Sequence, residues 1–126
     1  MKAVRLCVLF LLFSFAYGCV TSQKPMYYWG NYSSSLYGLK KNPGEETMNL
    51  HIKALDDIIL KSKEMDLKVP PGIYAEYGMY LLQADKKAEA KEMFLAEKHI
   101  YPESSLLMDR MIKVTDTEVA KGEVAQ

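Results

Sequence analysis

Residues 72–104, GIYAEYGMYLLQADKKAEAKEMFLAEKHIYPES, decide the fold. Apolar residues recur at helical spacing on either side of Gln83–Lys86, so the stretch predicts two antiparallel helices joined at that turn. Gly78 on the first helix and Ala90 on the second are small enough for the two backbones to approach closely, and Phe94 fills the groove beside them. Asp85 occupies the turn, and Asp tolerates left-handed geometry better than most residues. Tyr74, Tyr77 and Leu81 take neighbouring apolar positions. The tyrosines at 74, 77 and 80 leave two readings open: a polar-tipped aromatic ridge lining a groove, or Tyr74 and Tyr77 in the core with Tyr80 against an aromatic segment upstream.

In this register the hairpin resembles a tetratricopeptide repeat, with Gly78, Ala90, Phe94 and Pro102 at its small, small, aromatic and closing positions. Three residues depart from the motif: Glu97 stands where Ala is usual, Lys91 where an aliphatic is common, and Asp85 where the turn has Gly. The stretch from Met48 to Pro70 is a candidate second half of a preceding degenerate unit, but Pro70 falls out of the roughly 34-residue phase. One repeat is counted, not an array.

Upstream, Asn42-Pro43-Gly44-Glu45 reads as a helix start, with Asn42 as N-cap, Pro43 at the first helical position and Glu45 reaching back. Met48, Ile52, Leu55 and Ile59 form one apolar stripe, Lys61 and Lys63 suit its last turn, and Pro70-Pro71-Gly72 forbids continuation. Downstream, Ser104 or Ser105 caps a further helix carrying Leu107, Met108, Met111 and Ile112, which covers the open face of the hairpin. The small apolar residues in TDTEVAKGEVAQ are sparse among charges, so residues 115–126 read as a disordered tail. The expected fold class is all-α: about four helices over residues 26–114, preceded by an aromatic-rich segment.

The N-terminus is a separate problem. Lys2 and Arg5 precede an apolar run from Leu6 to Ala16, and Gly18 then sits before Cys19. This is the grammar of a secretory leader, and the run is well short of the roughly 20 residues a membrane-crossing helix needs. Ala16-Tyr17-Gly18-Cys19 resembles a bacterial lipobox, although Ala16 replaces the usual Leu and bulky Tyr17 a small residue. The competing reading is an ordinary leader cut between Ala16 and Ser22, with Cys19 incidental. Cysteine arithmetic favours lipidation: Cys7 leaves with the leader, so an exported chain has one thiol and no partner for it. Residues 1–18 are then a lipoprotein signal peptide and 19–25 a tether. Cys19 carries diacylglycerol and an N-acyl chain, and more than one chain suffices for stable anchoring. Val20 after the cysteine favours the periplasmic face of the outer membrane.

Removing 18 of the 126 residues leaves 108, enough for one small domain. It carries 14 basic against 16 acidic side chains, and no basic excess marks it for nucleic acid. Tyr27, Tyr28, Trp29, Tyr32 and Tyr37 crowd around Gly30. Either they cover one face of the body, or they form a docking patch or a surface at lipid headgroups. Tyr28, Trp29, Tyr32 and Tyr37, with Tyr80, are the candidate partner-binding residues. His51 and His99 are the only imidazoles, on different helices and without the spacing of a zinc site, and read as partly exposed helix residues. Asp56 and Asp57 point apart, and Glu89, Glu92 and Glu97 read as a solvated face. No phosphate loop, nucleophile elbow or metal-ligand cluster appears, so neither catalytic residues nor a metal are assigned and the chain is read as a non-enzyme.

Taken together, MYYWGNYSSSLYGLKKNP, VPPGIYAEYGMYLLQ and EKHIYPES resemble the bacterial lipoprotein family known as domain of unknown function 4810, over roughly Met26–Ile112. The resemblance implies an outer-membrane-associated periplasmic lipoprotein, typically encoded beside a lipoprotein like the curli-secretion channel subunit and a third small lipoprotein. It supplies no catalytic residues. The expected function is a non-catalytic adaptor docking such a companion. The alternative is a module that binds an envelope polymer or small ligand on the Tyr/Trp cluster.

Overall fold

The computed structural model describes residues 24–124, with side-chain surroundings as far as 117. Cys19, the leader and most of the tether lie outside the described residues. Five α-helices follow one another: α1 Tyr32–Lys41, α2 Glu45–Glu64, α3 Ile73–Gln83, α4 Lys87–Ile100 and α5 Ser105–Val124, with a 3-10 turn Pro102–Ser104 before the last. The described residues contain no strand, so the all-helical expectation holds. The additional helix is α1, built from the aromatic segment.

The decisive hairpin forms as its spacing requires. A Cβ added at Gly78 would lie 2.7 Å from Phe94 Cε1 and 3.2 Å from Met93 Cβ, so this position admits only glycine without rearrangement. Ala90 and Phe94 are fully buried beside it. The turn is a Schellman motif in which Asp85 adopts the left-handed conformation, φ 60°. The Lys86 amide donates to Leu81 O at 2.9 Å and the Asp85 amide to Leu82 O at 3.1 Å. Asp66, φ 52°, closes α2 in the same way, with the Leu67 amide on Ser62 O.

Each helix packs chiefly on its neighbours in sequence. One core cluster joins α2 to α3 through Leu55, Ile58, Ile59, Val69, Ile73 and Tyr74. A second joins α3, α4 and α5 through Leu81, Ala90, Phe94 and Met108. Tyr77 and Met93 touch both and make the interior continuous.

Several local expectations are corrected. Asn42 ends α1 instead of starting α2, its amide donating to Gly38 O. The residue before a proline is pushed to extended backbone, so α2 begins two residues beyond Pro43, with Gly44 as N-cap. The buried face of α2 is His51, Leu55, Ile58, Ile59 and Ser62, while Met48 is exposed. Ser104 and Ser105 do not cap amides; their hydroxyls donate back to Tyr101 O and Pro102 O. Leu107 is exposed. Residues 115–124 are helical where a disordered tail is expected. Thr115 is buried in α5, and Asp116 pairs with Lys91 of α4 at 2.7 Å, which carries the helix past residue 114.

Glu97 is not on a solvated face. It is buried, and its Oε1 accepts the Gly72 amide at 2.7 Å. Gly72 is the N-cap of α3, φ 87°, and has no side chain with which to satisfy the helix start. A carboxylate from α4 therefore serves as the cap. Its Oε2 is buried without a hydrogen-bond partner. Burial pushes the Glu97 carboxyl above the usual range, opposed by the amides of Gly72, Ala75 and Tyr74, which favour the charged form.

Two outcomes are expected. Gly78→Ala lowers stability by about 1–3 kcal/mol, the usual cost of overpacking, seen as a lower urea midpoint and partly restored by adding Phe94→Leu. A carboxyl raised in the folded state contributes stability that is present below its unfolded value, near 4.5, and lost as pH rises through the folded value. Glu97→Gln removes that loss, so the midpoint difference, variant minus parent, grows between pH 4.5 and 7.

Candidate functional site

The aromatic segment is held to the helical body by polar groups. Tyr28 OH donates to Asp57 Oδ2 on α2 at 3.1 Å, and Tyr32 OH donates to Glu76 Oε2 on α3 at 2.9 Å. Between these elements lies His51, fully buried. Its Nδ1 is 2.8 Å from Ser35 Oγ of α1, and its Nε2 is 3.0 Å from Glu76 Oε1. With the proton on Nε2, the ring donates to the Glu76 carboxylate and accepts from the Ser35 hydroxyl. Three helices thus share one network: Ser35 and Tyr32 from α1, His51 from α2 and Glu76 from α3. His51 is corrected from a partly exposed helix residue to the buried centre of a polar cluster.

Along this network runs a series of rings in tilted and edge-to-face contact. Tyr27 and Trp29 lie 6.4 Å apart, Trp29 and Tyr32 5.6 Å, Tyr32 and His51 5.5 Å, and His51 and Tyr80 6.0 Å. Burial, then the Glu76 hydrogen bond and charge, push the Tyr32 hydroxyl up to about 12. Burial and the Glu76 charge raise Tyr80 as well. Tyr80 packs toward the N-terminal segment, while Tyr74 is in the core and Tyr77 half-buried, so the packed reading of these three tyrosines holds.

Four of the five candidate binding residues converge. Tyr28, Tyr32 and Tyr80 are half-buried supports, and Trp29 stands beside Tyr32, exposed over somewhat less than half of its surface. Tyr37 is apart, exposed near the other end of α1, with Lys41 Nζ 5.9 Å from its ring centre. Of the four repeat positions, Gly78, Ala90 and Phe94 meet in the hairpin, and Pro102 opens the 3-10 turn.

Ser35, His51 and Glu76 have the connectivity of nucleophile, base and orienting carboxylate, which sequence reasoning missed because each lies on a different helix. Ser35 also borders an open hollow of about 560 Å³ whose walls include Asn31, Lys53 and Asp57. The imidazole itself has no exposed surface, and Ser35 Oγ is equally placed to donate to Tyr32 O at 3.0 Å. A general base must reach the group it deprotonates and then the leaving group; a ring closed on every side is placed instead to join three helices. Among the described residues no group of three or more His, Cys, Asp or Glu could hold a metal ion. No described helix is long and apolar enough to cross a membrane.

Over residues 26–111 the chain matches the family model described as Domain of unknown function (DUF4810). No curated protein and no solved structure matches it.

Tyr32→Phe removes the donor to the Glu76 carboxylate and is expected to cost about 1.5–3 kcal/mol near neutral pH, the range for hydrogen bonds to charged groups. A hydroxyl raised in the folded state contributes stability that is present below its unfolded value of 10 and lost as pH rises through about 12. The parent's alkaline fall across that window is therefore steeper than the variant's in parallel urea titrations.

Proposed function

The chain belongs to the DUF4810 family, and from that membership we propose that it is a non-catalytic adaptor lipoprotein. Acyl chains on Cys19 tether it to the periplasmic face of the outer membrane. The domain docks a companion lipoprotein of the curli-secretion-channel kind through the aromatic edge around Trp29. Likeness of α3–α4 to a tetratricopeptide unit belongs to the same proposal, supported by the Gly78–Phe94 approach, and such hairpins bind proteins through exposed helix faces.

The observation that carries the reading is a solvent-exposed indole on a backbone fixed from beneath. Trp29 is exposed, yet the residues on both sides of it are tied down, Tyr28 to Asp57 and Tyr32 to Glu76. A large aromatic side chain presented without backbone freedom loses little entropy on binding, which is how interface anchors act. Confinement to one membrane raises effective concentration, so a modest interface suffices. Support for a non-catalytic role comes from the closed imidazole and from the use of Ser35 and Glu76 in joining helices.

The test is capture of membrane partners by the full chain extracted in detergent. Trp29→Ala is expected to weaken capture by tenfold or more, as loss of an interface anchor does, with a urea midpoint lowered only by the lost ring contacts to Tyr27 and Tyr32 and the domain still folded. Capture unchanged by both Trp29→Ala and Tyr80→Ala would overturn the docking edge. If cell-wall fragments then change the fluorescence of the single tryptophan, the assignment moves to a polymer-binding module.

A further inference from the structure

The direction of every helix is fixed by cross-contacts. Ser35 meets His51 and Tyr28 meets Asp57, so α1 and α2 are antiparallel. Gly72 meets Glu97, and Lys98 and Lys91 meet Asp109 and Asp116, so α3, α4 and α5 alternate likewise. The ends of α2 and α4 and the starts of α3 and α5 therefore share one end of the bundle, while α1 starts beside the middle of α2, between the levels of Asp57 and His51. The chain enters at this end: Lys24 Nζ donates to Asp66 O at 3.1 Å, and Tyr27 lies against Tyr101.

Exposed apolar side chains gather there. Met26 is 74% exposed, Leu106 71%, Leu107 57% and Met65 43%. Beside Leu106 opens a shallow hollow of about 700 Å³ lined by Leu95, Ala96, Lys98, His99, Pro102 and Ser105. The turns at the opposite end, residues 42–46 and 84–86, contain none of the large exposed apolar residues; Tyr37, Met48, Leu50 and Met79 sit on the helices leading to them. Charged groups at the entry end are paired, Lys24 with Asp66, Lys61 with Glu64 and Lys98 with Asp109.

We propose that this end of the bundle, carrying Met26, Met65, Leu106 and Leu107, is a lipid-contacting face that rests on a zwitterionic bilayer surface. The inference rests on the lipid-anchor reading above and adds an orientation to it. Cys19 precedes Lys24 by five residues, and five extended residues span at most about 18 Å. An acylated Cys19 therefore keeps the entry end within that distance of the headgroups and leaves the opposite end pointing away. Because the side chains named are apolar and the charges beside them are paired, the contact is apolar wedging of those side chains, not attraction to anionic lipid.

The test uses the full, acylated protein reconstituted in phosphatidylcholine vesicles. Acylation consumes the Cys19 thiol, so Leu106→Cys and Lys86→Cys each accept one environment-sensitive fluorophore. Nitroxide lipids are expected to quench the label at 106 at least threefold more than the label at 86, unchanged by 0.5 M salt. Equal quenching at the two positions, in protein that floats with the vesicles and has the acyl mass, would overturn the orientation and leave the anchor standing. A second labelled thiol, a missing acyl mass and failure to float would overturn both.

Discussion

The hydrogen bond between His51 and Glu76 is the constraint on which the N-terminal half of this molecule depends. An imidazole with no access to water must have both nitrogens satisfied, since an orphaned buried polar atom costs about 1–3 kcal/mol. Its two partners come from helices on either side. Satisfying His51 therefore places α1 over α2 and α3, and Tyr32, bonded to the same carboxylate, fixes where the aromatic segment runs. A single buried ring converts a tyrosine-rich stretch with little apolar periodicity into an ordered helix with Trp29 at its edge.

The second half is organised differently. Between α3 and α4 the determinant is an absence of side chain at Gly78, which lets Phe94 sit against the backbone. Glu97 then closes the start of α3 from the neighbouring helix. A carboxylate in this position does what an Asp or Ser at the N-cap would do, but it ties two helices together as well. Packing specifies the hairpin and its apolar seam with α2, while directional polar contacts specify how α1 attaches to both.

This division explains which parts of the fold could be read from the chain. Helical spacing and small-residue register are local patterns, so the α3–α4 hairpin, its turn at 83–86 and the left-handed Asp85 were legible. Ser35, His51 and Glu76 meet only in space, with separations of 16 and 25 residues, and no spacing announces them. Two clues were nonetheless present. His51 lies on the same helical face as Leu55, Ile58 and Ser62, so the stripe taken through Met48 and Ile52 was rotated off the buried face. Glu97 departs from the repeat pattern at a position that packing buries, and a charge there demands a donor, which the side-chain-less cap at Gly72 leaves open. The extension of α5 rests on Thr115 and the Lys91–Asp116 pair, contacts that sparse apolar content conceals.

The order in which the helices touch sets the order in which they can assemble. Since each helix packs mainly on its neighbour in the chain, the body needs few distant encounters, and architectures of this kind close in microseconds to milliseconds. The exceptions are the ties of the aromatic segment, Tyr32 to Glu76 across 44 residues and Lys24 to Asp66 across 42. Of these, the Tyr32 tie cannot close until α3 exists to receive it. The second anchor of the Trp29 edge is consequently made only once α3 is in place, and a chain folded no further than α2 would hold that edge by Tyr28 and Ser35 alone.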